Sequence, residues 1–110
     1  MAVYTPKKIY TGQPSTSPAT IYTAPASTTT IIKNILICNT TASAATVTLN
    51  LVASGGSAGV NNRILSTYTV TPNDTVAIDL SAVLSTGDFI SAVQGTSSAL
   101  TLHITGVEVV

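Results

Sequence analysis

Ala45-Thr46-Val47-Thr48-Leu49-Asn50-Leu51-Val52-Ala53 alternates apolar and polar side chains. Val47, Leu49, Leu51 and Ala53 share one side of an extended chain, and Thr46, Thr48 and Asn50 share the other. Successive side chains of a strand point to opposite faces, so this period of two predicts a half-buried β-strand.

The pattern recurs outward in both directions. Over residues 75–80, Val76, Ile78 and Leu80 point in while Asp79 points out. Over residues 100–105, Leu100, Leu102 and Ile104 alternate with Thr101, His103 and Thr105. Beyond Gly106 the apolar residues fall on odd numbers, at Val107 and Val109. A one-residue change of phase at a glycine predicts a β-bulge there. Residues 28–39 are apolar on both faces and predict a central strand covered on both sides. Further strands are expected over 62–70, with Tyr68 and Val70 inward, over 88–94, and at a weaker edge over 19–24. Residues 81–84 could form one helical turn, and no longer stretch has helical periodicity. Turns separate the runs at 39–43, 54–59, 71–74, 85–88 and 95–98, where Gly, Pro, Asn, Asp and Ser cluster. The fold class is therefore all-β: an antiparallel β-sandwich, jelly-roll or Ig-like, of about 7–8 strands.

Residues 1–18 differ from the rest. Pro6 and Pro14 fall here, with Pro18 at its end, and so do Lys7 and Lys8, half of the chain's four basic side chains. Proline removes backbone donors and favours extended chain. The expected organisation is an extended N-terminal arm over 1–18 and a sandwich domain over 19–110. Tyr4, Pro6, Lys7, Lys8 and Tyr10 are its candidate partner-binding residues, because tyrosine gives large contact area at low entropy cost.

Composition excludes several function classes. Charged residues make up 7% of the 110, and the formal net charge is zero; an ordinary domain carries ~25% charged residues. So little charge repulsion implies a surface that partners cover in the working state. A nucleic-acid binder needs a basic stripe, and four basic residues do not make one. The one cysteine, Cys38, sits in an apolar run and reads as a small buried hydrophobe. No signal peptide is expected, since residues 1–30 have no apolar h-region. The most apolar run, 31–38, is far shorter than the ~20 residues of a membrane-spanning helix.

Chemistry is sparse. His103, the one histidine, lies on the polar side of a regular strand, and no G-x-S-x-G elbow accompanies it. Asp74, Asp79, Asp88 and Glu108 are too dispersed for a calcium loop. Asp74 and Asp88 fit turns whose backbone donors they would cap. The run 55–59 has no following lysine and opens no helix, so it is not a phosphate loop but a mobile connection. No catalytic residue, cofactor or metal is expected, and the chain reads as no enzyme.

Two tracts carry a resemblance. Thr29–Asn39, TTIIKNILICN, leads into a Thr/Ala loop and an alternating strand, and residues 84–109 read LSTGDFISAVQGTSSALTLHITGVEV. Together they resemble small β-sandwich virion structural proteins of tailed bacteriophages. The resemblance covers roughly residues 19–110 and lies in strand and turn residues. It implies a capsid decoration or cement protein bound between capsid subunits. Its expected partners are the major capsid protein or another virion protein, with a homo-oligomer, a trimer in the first instance. Its expected location is the virion. The alternatives are a neck or tail (fibre or baseplate) component, or a carbohydrate- or receptor-binding module using loops 54–62 and 95–99. A small hydrolase or isomerase built on His103 is a third.

Overall fold

The computed structural model describes residues 2–110. The alternating tract becomes strand β4, and the full set is β1 (Tyr4–Gly12), β2 (Ala19–Thr23), β3 (Thr29–Asn39), β4 (Ala45–Val52), β5 (Arg63–Val70), β6 (Thr75–Leu84), β7 (Phe89–Gln94) and β8 (Leu100–Val109). One short 3-10 turn, Val60–Asn62, precedes β5. No α-helix occurs among the described residues.

The strands form two four-stranded sheets, in the orders β1-β8-β3-β6 and β2-β7-β4-β5. Every pairing is antiparallel, and β1 pairs with β8, β2 with β7, β3 with β6 and β4 with β5. The chain is thus one long hairpin turned at β4–β5 and rolled over on itself, a jelly roll. Pairings of β3 with β8 and of β4 with β7 close the two sheets. The two ends of the chain meet, with Val3 and Val110 exchanging both backbone hydrogen bonds at 2.7 and 3.0 Å.

The core lies between the sheets. Ile32, Ile35, Ile37, Leu49, Ile90, Leu100, Leu102 and Ile104 are at most 1% exposed. Each such side chain contributes on the order of 1.5–3 kcal/mol relative to exposure. Polar groups inside are satisfied. Asn39 Nδ2 donates to Ser43 O and Val70 O at 2.9 and 3.0 Å, and its Oδ1 accepts from the Thr41 N–H and hydroxyl. Gln94, 1% exposed, donates to Pro14 O and accepts from Leu100 N at 2.9 Å. Asp88 accepts from Ser54 N and Ser85 N, and Asp74 from Thr75 N, as their turn positions predicted.

Five expectations change. The arm is not a separate extension: Tyr4–Gly12 is β1, hydrogen-bonded along β8 of its own chain. Proline is tolerated there because β1 is a sheet edge, with one side of its backbone unpaired. The bulge near Gly106 does not lie in β8. Against β8, the extra residues are Ile9 in β1 and Lys33 in β3, one on each flank. The backbone of β8 therefore keeps its phase, Gly106 and Glu108 face inward, and Val107 and Val109 face outward. Gly106 is required because a Cβ there would run into the carbonyl oxygen of Ile31. Residues 81–84 are not helical but complete β6, since Ala82 and Leu84 extend the inward series of Val76, Ile78 and Leu80. β3 is central in its sheet, yet only one of its faces is covered within the chain: Leu36 is 37% exposed and Cys38 is half-buried on the outer side. The glycine-rich connection is pinned at its far end, where Asn50 Nδ2 donates to Gly59 O and Asn62 Oδ1 at 2.8 and 2.6 Å.

Candidate interaction face

Directly paired residues of an antiparallel sheet share a face. The register of the sheet β1-β8-β3-β6 therefore lists its outer surface row by row. Pro6, Val107, Ile31 and Val83 form one row across all four strands. Beside it, Tyr4, Val109 and Thr29 begin the next. Val83 is 62% exposed and Tyr4 67%. On the other side runs Lys8, Thr105, Asn34 and Asp79, with a cation at one edge and an anion at the other. Asn34 Nδ2 donates to Asp79 Oδ1 at 2.8 Å, and Lys33 Nζ to Ser81 Oγ at 2.9 Å. A third row holds Thr11, His103, Leu36 and Ala77.

The outer surface of the opposite sheet has another character. Thr46, Thr48, Thr69, Asn50 and Ser91 pair there, with Val93. Threonine hydroxyls reach solvent there, while Asn50 and Ser91 are only 5% exposed. The first sheet instead presents apolar side chains to solvent, and such patches mark contact surfaces.

The five residues singled out in the sequence are not equivalent. Tyr4, Pro6 and Lys8 lie on the outer face. Tyr10, just past the bulge, pairs with Ile104 and packs partly against the core. Lys7 lies opposite Gly106 and its Nζ meets Glu108 Oε1 at 3.2 Å. Sequence reading missed the residues from β3, β6 and β8 that complete the face. Val83 stood in a segment read as a helical turn, and Val107 and Val109 in a segment read as inward-facing.

Glu108 takes the inward position that the continuous phase of β8 gives it, and a polar cluster receives it. The Tyr22 hydroxyl donates to Glu108 Oε2 at 2.7 Å and lies 2.8 Å from Thr30 Oγ1. With its O–H donated to the Glu108 carboxylate, the phenol oxygen accepts from the Thr30 hydroxyl. Tyr22 belongs to one sheet and the other three residues to the other, so the cluster clamps the end of the sandwich. The Tyr22 hydrogen bond, aided by Lys7, holds the Glu108 carboxyl below its usual 4.5. Burial, reinforced by the neighbouring carboxylate, pushes Tyr22 up to about 12.

His103 is exposed on the outer face, and its cross-strand neighbours are Thr11 and Leu36, neither of them an acid. Among the described residues, no three His, Cys, Asp or Glu side chains gather as a metal site.

No protein-family model matches the chain, and no curated protein matches it in sequence. Solved structures do match in fold. A chain of infectious bursal disease virus, Gx strain, aligns with a TM-score of 0.55 and 10% identity over 100% of this chain and 32% of its own. A chain of the T13 particle of the same virus gives 0.56 and 10% over 98% and 30%. One from its VP2 subviral particle gives 0.52 and 11% over 98% and 32%. This chain thus spans about a third of the length of those viral chains. At such identity the likeness is one of fold, and the fold is a jelly roll of a kind that virus-particle proteins also have.

Proposed function

We propose that the chain is a non-enzymatic structural subunit of a bacteriophage particle, a decoration protein that binds between capsid subunits. The observation that carries this reading is the outer face of β1-β8-β3-β6, where Tyr4, Pro6, Val83 and Val107 stand in adjoining rows on a chain with 7% charged residues. A lone soluble domain has no use for such a surface, whereas a subunit held in an assembly covers it. The jelly-roll strand order and its likeness to virus-particle chains support the same reading, and so does the resemblance of residues 84–109 to phage virion proteins. In this reading Tyr4, Pro6 and Lys8 make contacts with neighbouring protein, while Lys7 and Tyr10 hold β1 in place. The working mechanism is burial of surface, without chemistry.

The test is the stoichiometry of purified particles from the phage that encodes the chain. Quantitative mass spectrometry is expected to find it in a fixed ratio to the major capsid protein. Its absence from particles, with abundance only in the host lysate, would overturn the proposal.

A further inference from the structure

The outer face of β1-β8-β3-β6 is self-complementary, and we infer that its occupant is a second copy of this chain, related by a two-fold axis parallel to the strands. The order of side chains along two rows of the face carries this inference. Across the sheet from β1 to β6, one row reads Pro6, Val107, Ile31, Val83, and the next paired row reads Lys8, Thr105, Asn34, Asp79; the two rows diverge toward β6, where Lys33 and Ser81 stand between them. Two such faces stacked about an axis that runs along the strands, between β8 and β3, reverse the order across the sheet and keep each row on its own level. Pro6 then faces Val83 of the second copy, and Val107 faces Ile31. In the other row Lys8 comes level with Ser81 of the second copy and reaches past it to Asp79, two residues further along β6, and Asp79 is reached by Lys8 in the same way.

Each side chain of the apolar row thus meets an apolar one, and Lys8 meets Asp79 twice; Lys33, a further cation on this face, is held by Ser81 Oγ at 2.9 Å. An axis perpendicular to the strands, through the apolar row, would set the charged row against Tyr4, Val109 and Thr29 and leave both carboxylates without a cation. The Lys8–Asp79 pairing therefore favours the first arrangement. Within the chain, the one ion pair among the described residues is Lys7–Glu108, so Lys8 and Asp79 enter the interface uncommitted to an opposite charge.

The size of the face suits the task. Strands of about 10 residues, four abreast, make a face of roughly 600 Å2 in projection at ~4.8 Å between strands and ~3.3 Å per residue. A standard interface buries ~800 Å2 of accessible surface per partner, and accessible area exceeds projected area. Sheets stack face to face with their strands about 30° apart. At the sheet edge this displaces a row by about one residue, within reach of a lysine side chain. Self-pairing of one patch through a two-fold is the commonest form of oligomer. The pairing also accounts for the composition of β3, whose outward Ile31, Leu36 and Cys38 have no cover within the chain.

Sedimentation equilibrium of the full chain, over a concentration series at low salt, tests the inference. Wild type is expected to fit twice the monomer mass. Val83→Asp, an exposed substitution on an edge strand, is expected to sediment as a folded monomer, with an unchanged far-UV circular dichroism spectrum. Lys8→Asp or Asp79→Lys alone sets like charges together and is expected to weaken the dimer at least tenfold. The two swaps in one chain restore opposite charges and are expected to recover wild-type affinity. A monomeric or trimeric wild type would overturn the inference, as would single swaps without effect or a double swap no stronger than the single ones. A monomer would leave the virion proposal standing. Absence from particles would leave the dimer standing.

Discussion

Glu108 concentrates the account at the scale of single residues. Its position looks outward if apolar residues alone are followed, because Val107 and Val109 flank it. It faces inward because β8 keeps its phase and its neighbours absorb the extra residues, and it tolerates that place because Tyr22 and Lys7 supply donors. The consequence for stability follows from the two shifts. Glu108 titrates lower in the folded protein than its ordinary 4.5, so its contribution is complete above that value and is lost as pH falls through the lower, folded one. Tyr22 titrates higher than its ordinary 10.0, at about 12, so its contribution is complete below pH 10 and is lost as pH rises toward 12. Tyr22→Phe is expected to cost about 1 kcal/mol near neutrality, the net worth of a partly exposed hydrogen bond. It should also flatten both limbs of the stability–pH curve. Denaturant unfolding across pH 3–12 measures this, and an unaltered curve shape in the variant would refute the clamp.

At the scale of elements, alternation was readable wherever one face of a strand meets the core. β4, β6 and the first half of β8 follow from Val47 and Leu49, Val76 and Ile78, Leu102 and Ile104. β1 was not readable as part of the sheet. Its prolines, lysines and tyrosines look like a tail, and what makes them a strand is pairing with β8, a partner nearly the whole chain away. Local sequence carries no trace of such a contact. The bulges were half readable: Gly106 marked the level, but the extra residues sit on the strands beside it, where Ile9 and Lys33 break no visible pattern. β1 also closes the core, with Ile9 buried and Tyr10 packed on it. A chain lacking residues 2–12 is therefore expected to lose cooperative folding, since a buried isoleucine alone contributes ~2–5 kcal/mol and the open edge of β8 invites aggregation. Thermal unfolding measures it; a truncated chain melting within a few degrees of the full one would show β1 to be a free arm after all.

For the whole molecule, the sandwich class was legible from strand count and turn spacing, whereas jelly-roll against Ig-like order was not. Both orders use similar alternating strands, and the choice lies in which distant strands pair. The candidate interaction face was legible only at its β1 edge, through Tyr4, Pro6 and Lys8. Its other three strands contribute residues that, read singly, pass for core or turn. Once the register places them in rows, low charge and an uncovered apolar face become one observation, and the proposal of a subunit that works by being packed rests on it. The most direct test is a cryo-electron microscopy map of the purified phage particle. The expected result is an eight-stranded jelly roll on the capsid with the outer face of β1-β8-β3-β6 buried against protein. A particle without this chain, or one that holds it with Tyr4, Pro6 and Val83 facing solvent, would contradict it.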